Sequence, residues 1–339
     1  MKAAVYYGLG DIRVEEREIP SPGPGELVFQ VKACGVCGTD VHIFHGDEGS
    51  AEVTPPVILG HEAAGVVYSV GEGVTGFVPG DIVVHDPNEL CGACFYCLRG
   101  IGHFCTNKKS YGTTFNGAFA QYCCVGAKSC YKVSGKRGFE EYAMGEAVAC
   151  CLHGIDLCKI SPGHNVVIIG GGGIGLLMLQ LAKLAGAVQT IVIEPVAAKR
   201  EAALKLGASG VIDPFNENVK HRLKELGMPE PNTVIECAGL GQTVEMAIDI
   251  AGICGMVMLF GLTPPACEVT IKPFVIYQKE IHITASFINP YTIGRAIDII
   301  ESGVLDVKSL IANRLPLEGL QGALSDDNLR GEGKIIIIP

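Results

Sequence analysis

The chain has no run of Lys and Arg long enough to grip a polyanion and no basic stripe interleaved with aromatics, and its net charge of −10 comes without a long acidic block. A nucleic-acid partner is therefore disfavoured. Internal repeats and low-complexity tracts are also missing. The opening Met1-Lys2-Ala3-Ala4-Val5-Tyr6 reaches Asp11, Arg13, Glu15 and Glu16 before any apolar core of signal-peptide length, so a cytoplasmic location is expected. Residues 166–193 are apolar apart from Gln180, Lys183, Gln189 and Thr190. The Gly170 to Gly173 run and Gly186 cut that stretch into strand, turn, helix and strand lengths, which excludes a membrane span. Charged residues are scarce at 18% against 48% hydrophobic, which excludes disorder, and 339 residues fill two domains.

Cysteine, by contrast, is abundant. Fifteen thiols, an odd number, argue for reduced cysteines and metal ligation over a disulfide framework. Five have metal-type spacing: Cys37, Cys91, Cys94, Cys97 and Cys105. The others (Cys34, Cys123, Cys124, Cys130, Cys150, Cys151, Cys158, Cys237, Cys254, Cys267) are expected to fill the core, where a free thiol behaves as a small hydrophobe.

Short strands separated by Gly/Pro turns are predicted at 3–7, 12–16, 27–33, 64–70, 82–85 and 119–125, giving an irregular, mostly β lobe. From about Glu146 the texture becomes apolar strands (166–169, 190–193, 234–237, 256–260, 281–285) alternating with helices (174–184, 196–206, 243–251). That is the pattern of a parallel α/β sheet. A helix at 293–301 and a strand at 334–338 follow, and the strand is placed to return to the first lobe. The expected domains are 1–148, 149–286 and a returning segment, 287–339.

Gly170-Gly171-Gly172-Gly173-Ile174-Gly175 satisfies the dinucleotide pattern between a strand and a helix, where backbone can approach a pyrophosphate at the helix N-terminus. Glu194 ends the next strand, where a carboxylate accepts hydrogen bonds from ribose hydroxyls and repels a 2′-phosphate. NAD is the expected cofactor, with Lys199 and Arg200 close enough to soften the repulsion. Cys91, Cys94, Cys97 and Cys105 offer four thiolates in one loop, enough for a closed tetrahedral zinc site that stabilises and does not react.

Cys34-Gly35-Val36-Cys37-Gly38-Thr39-Asp40-Val41-His42 and Gly60-His61-Glu62-Ala63-Ala64-Gly65 resemble the two zinc-site motifs of the medium-chain alcohol dehydrogenases. With the four-cysteine loop and the glycine motif in the same order, the resemblance runs over essentially the whole chain. It implies a GroES-like zinc-binding catalytic domain joined to a Rossmann-type doubly wound sheet, two zinc ions per chain, and a dimer or tetramer. It also implies Cys37 and His61 as ligands of the reactive zinc and Glu62 as the adjacent carboxylate. Glu146 stands where polyol dehydrogenases carry a ligand Glu followed by Pro, although here Ala147 follows. Thr39 resembles the family's hydroxyl that bonds the substrate oxygen, His42 the outer end of a proton relay, and Asp40 a group that orients His61. Such a site retains a position for a substrate oxygen, so the implied reaction is hydride transfer between an alcohol and NAD.

Glu146 and the segment 285–292 lean toward polyols and sugar alcohols, with Tyr111 and Asn289 as candidate substrate groups. An L-threonine 3-dehydrogenase resembles the first motif equally. A zinc-free quinone reductase relative or a non-catalytic zinc or NAD sensor would leave the metal-type residues unexplained. His45, His85, His103, His153, His164, His221 and His282 have no assigned role.

Overall fold

The computed structural model describes residues 1–47, 52–331 and 333–339. The chain divides into two compact units, Met1–Ala149 with Asn289–Pro339, and Cys150–Ile288.

The first unit is built on a seven-stranded sheet. Its path runs Cys130–Lys132, Ile82–His85, Glu62–Val70, Glu26–Gly35, Lys334–Ile337 and Ile311–Leu315, with Tyr122–Gly126 also pairing to Glu26–Gly35. A three-stranded sheet of Asp11–Glu16, Lys2–Gly8 and Val57–Ile58 accompanies it. Leu27, Phe29, Leu59, Phe119 and Leu320 are fully buried between these sheets and the C-terminal helices, each worth roughly 1.5–3 kcal/mol of burial. Register matters most at Gly35, which pairs with Glu62 on one side and with Ile336 on the other. The strand expected at 119–125 begins only at Tyr122. Phe119 and Gln121 instead bond the backbone of Ala4 and Lys2, so those residues serve the smaller sheet first.

The second unit is a six-stranded parallel sheet in the order Gly210–Ile212, Gln189–Ile193, Asn165–Ile169, Thr233–Glu236, Met256–Leu259, His282–Ala285. The order reverses between Asn165–Ile169 and Thr233–Glu236, the switch point at which such sheets open a ligand crevice. The central strands are apolar through their middles, at 166–169, 191–193 and 234–235, because both faces are covered. The edge strand His282–Ala285 has no buried residue. The glycine turn is set by Gly170, at φ +104°, and by Gly175, where a side chain would overlap the Gly170 carbonyl. Helix Gly173–Leu184 can therefore start hard against its strand.

Five of the ten cysteines expected in the core are buried: Cys34, Cys123, Cys130, Cys151 and Cys158. Cys124, Cys150, Cys237 and Cys267 are partly so, but Cys254 is exposed, at φ +54°. All fifteen cysteines are free thiols. Among the described residues, no helix is long and apolar enough to cross a membrane.

Candidate active site

Cys37 precedes the short helix Gly38–Phe44, and His61 and Glu62 stand where strand Glu62–Val70 begins. Gly60, at φ +93°, makes the turn into that strand against the Phe119 ring. One donor atom each from Cys37, His61 and Glu62 lies within 4.8 Å of the others. Asp40, fully buried, ties two of these residues together. Its Oδ2 accepts the Cys37 N–H at 2.9 Å, and its Oδ1 faces His61 Nδ1 at 3.3 Å. That leaves His61 Nε2 for the donor cluster. Burial works against a charged His61 ring, yet Asp40 and Cys37 outweigh it and push its pKa well up. The charges that favour a proton there would favour a dication more strongly, so the donor set fits zinc.

Lys334, first residue of the last strand, completes the cluster. Its Nζ donates to Glu62 Oε1 at 2.5 Å and also meets Oε2. Burial opposes its charge, but Glu62, Cys37 and Glu146 raise its pKa. Gly35 lies on the strand between the two. A methyl group at that position would overlap the Glu62 carboxylate and come within 2.9 Å of Lys334 Cε.

In the four-cysteine loop, two short 3₁₀ turns, Cys97–Arg99 and Gly102–Phe104, bring four sulfurs within 4.8 Å of one another. Backbone N–H groups of Cys91 and Cys94 donate to Cys105 and Cys91 sulfurs, both at 3.4 Å. Donors at Cys97 and Thr106 pull the Cys94 thiol down to about 6. Four sulfurs close a tetrahedron, so no position remains for a substrate. Among the described residues these two clusters are the metal-type groups.

On the second unit, the buried Glu194 accepts from Gly171 N at 2.7 Å and Val196 N at 2.9 Å. Residues 23–135 match the family described as an alcohol dehydrogenase GroES-like domain, and residues 173–302 the family described as zinc-binding dehydrogenase. A protein of Pyrococcus abyssi named L-threonine 3-dehydrogenase is 35% identical over 93% of this chain and 90% of its own. D-arabinitol dehydrogenase 1 of Uromyces fabae is 31% identical over 100% of this chain and 97% of its own. The chain belongs to the zinc-dependent medium-chain alcohol dehydrogenases. A solved zinc-binding dehydrogenase of Sinorhizobium meliloti, described as bound to NADP, superposes at TM-score 0.95 with 38% identity, covering 100% of this chain and 99% of that one.

Within this dehydrogenase, helix Gly38–Phe44 carries Thr39 and His42, both half-buried and three residues apart on one face. His42 Nδ1 is 3.4 Å from Asp47 Oδ2. Glu146 is buried in the first turn of helix Gly145–Cys158. Its charge reaches Lys334 and Asp86, but it is not a member of the three-residue donor group. Arg200 is tied to Asp213 at 3.1 Å and to the carbonyls of Glu194 and Pro195, while Lys199 is half-buried on the same helix, Ala197–Lys205.

The two expected substrate groups are engaged elsewhere. Tyr111 is buried, and its hydroxyl donates to Glu89 Oε2 at 2.8 Å and accepts from Gly126 N at 2.9 Å. Asn289 is buried with both ends of its amide used: Nδ2 donates to Asp86 Oδ1 at 3.2 Å, and Oδ1 accepts from Asn88 Nδ2 at 2.8 Å. Each is a polar side chain satisfied inside the fold.

Three charged groups lie outside the site residues expected from the sequence. Asp86 is raised to about 7 by burial, against bonds from Asn88 and Asn289. Glu236, fully buried beside the switch point, accepts from Ala238 N, Gly239 N and Thr243 Oγ1 through Oε1. An acid closing an apolar strand is the signal that picked out Glu194, and Glu236 carries it too. Lys334 offers no such signal, since a lysine opening a strand reads as solvated surface.

Proposed function

We propose that this dehydrogenase interconverts a secondary alcohol of a polyol or sugar alcohol and the ketone, with NAD as hydride acceptor and zinc at both clusters. The carrying observation is the convergence of Cys37, His61 and Glu62 donors within 4.8 Å. Cys37, His61 and Glu62 would hold the reactive zinc, with Glu146 as a further carboxylate, and Cys91, Cys94, Cys97 and Cys105 the structural one. When bound, zinc supplies Lewis acidity toward the alcohol and nicotinamide accepts the hydride.

The chain's own residues do the rest. Asp40 fixes the His61 ring and the Cys37 backbone. Thr39 Oγ1 would accept the proton of the substrate hydroxyl while giving up its own, which would pass by way of the cofactor ribose to His42 and outward past Asp47. The ionisable groups around the cluster are mainly carboxylates, and the Lys334 ammonium among them is committed to Glu62. This favours a neutral, hydroxylated substrate over a zwitterion. L-threonine is the second reading, supported by the Pyrococcus relative. A screen of sorbitol, xylitol, arabitol, threitol and threonine with NAD separates the two. Turnover of threonine alone would overturn the polyol reading.

On the second unit, Gly170, Gly172, Gly173, Ile174 and Gly175 would cradle the pyrophosphate and Glu194 the ribose. Because the charge of Arg200 is matched by Asp213, a 2′-phosphate would meet the Glu194 carboxylate, and kcat/KM should favour NAD over NADP by at least about tenfold. The NADP of the Sinorhizobium neighbour makes this a sharp test.

Fifteen free thiols favour a cytoplasmic setting. We further propose a homodimer or homotetramer. The edge strand His282–Ala285 carries no acid, Lys, Arg or Pro, and neighbouring Phe274 and Tyr277 are 70% and 80% exposed, so an identical strand could pair with it about a two-fold axis. Light scattering on Ile283→Lys should report a smaller assembly; an unchanged mass would remove this edge from the interface.

A further inference from the structure

Lys334, partly buried, and Glu62, fully buried, form an ion pair inside a group of candidate metal donors. Glu62 is 1% exposed, and Lys334 is bonded to one of its oxygens and in contact with the other. Gly35 leaves the space they share. A carboxylate gripped in this way cannot give the same lone pairs fully to a metal, and an ammonium this close repels a dication. We propose that Lys334 is a positioning residue that holds Glu62 as a partial, releasable ligand, so that the reactive zinc is retained chiefly through Cys37 and His61 and exchanges its remaining ligands freely. This rests on the zinc-dehydrogenase reading of the site.

The pair sets an opposition between one positive charge and the metal for one carboxylate. Replacing Lys334 by Met removes the competitor and leaves Glu62 to the metal. Zinc at this site should then leave more slowly, by at least about tenfold, when the holoenzyme is challenged with a chelator. The d–d spectrum of cobalt-substituted protein should shift as an oxygen ligand is added. Lys334→Arg keeps the charge and should restore wild-type release. Glu62→Gln combined with Lys334→Met removes both charges, guards against a folding defect in the single variant, and should cancel the slowing.

Equal or faster zinc release in Lys334→Met, with the cobalt spectrum unchanged and the four-cysteine zinc retained, would overturn the proposal. So would slowing that persists in the double variant, because the effect would not pass through Glu62. If the wild-type holoenzyme yields one zinc or none, the reading of the Cys37 cluster fails, an outcome distinct from two zinc ions whose release ignores Lys334.

Discussion

The four-cysteine loop and the Cys37 cluster both gather donors within 4.8 Å, but they are made from opposite materials. The loop draws four like ligands from residues 91–105, stabilised by its own backbone N–H groups. The Cys37 cluster takes one thiol from the start of helix Gly38–Phe44 and an imidazole and a carboxylate from adjacent residues at the start of strand Glu62–Val70, with a cation pressed against the carboxylate. Uniform local ligands make a closed rivet. Mixed donors from two elements under charge competition are what the proposed change of coordination requires.

The comparison breaks most sharply at the cysteines. Cys37→Ala should lower kcat by at least about a thousandfold and remove one zinc per chain, with little change in melting temperature. Cys97→Ala should instead destabilise by several kcal/mol, or roughly 10 °C at about 2–4 °C per kcal/mol. Calorimetry, metal analysis and initial rates on the two variants test this; near-normal turnover in Cys37→Ala would sink the assignment. Asp40→Asn should weaken zinc binding at the Cys37 cluster about 10–100-fold by loosening the His61 ring, leaving the loop zinc in place.

Asp86 sharpens the contrast through pH. Its folded pKa of about 7 lies above the ordinary 3.8, so the folded chain holds a proton that the unfolded chain releases. On this account stability falls as pH rises from about 4 to about 7 and is level above. Asp86→Asn can keep the bonds from Asn88 and Asn289 while removing the charge. It should stabilise by about 1–3 kcal/mol at pH 8 and by much less at pH 4. Denaturant melts at both values check the sign. The smallest effect belongs to Tyr111→Phe, which takes the hydroxyl from Glu89 Oε2 and from the Gly126 N–H while Glu89 Oε1 keeps Lys109 and Lys128. It should cost about 1–2 kcal/mol with no change in KM; a raised KM would return Tyr111 to the substrate site.

What could be read from sequence follows the same division. Spacing alone picks out the four-cysteine loop, whereas Cys37, Asp40, His61 and Glu62 stand out only through the resemblance of their two motifs to the family's. The central sheet was legible because a strand covered on both faces is apolar throughout. Lys334 could not be read, since the partner that buries it is 272 residues away. The hydrogen bonds of Tyr111 and Asn289 to Glu89, Gly126, Asp86 and Asn88 could not be read from sequence either.

The separation of Glu62 from Lys334 bears on how the molecule is made. On the ribosome, the Cys37, His61 and Glu62 segments emerge early, and the entire cofactor unit must be synthesised before the compensating lysine exists. Until then the carboxylate has only water or a scavenged cation for company. The ion pair can therefore close only after both units have been synthesised.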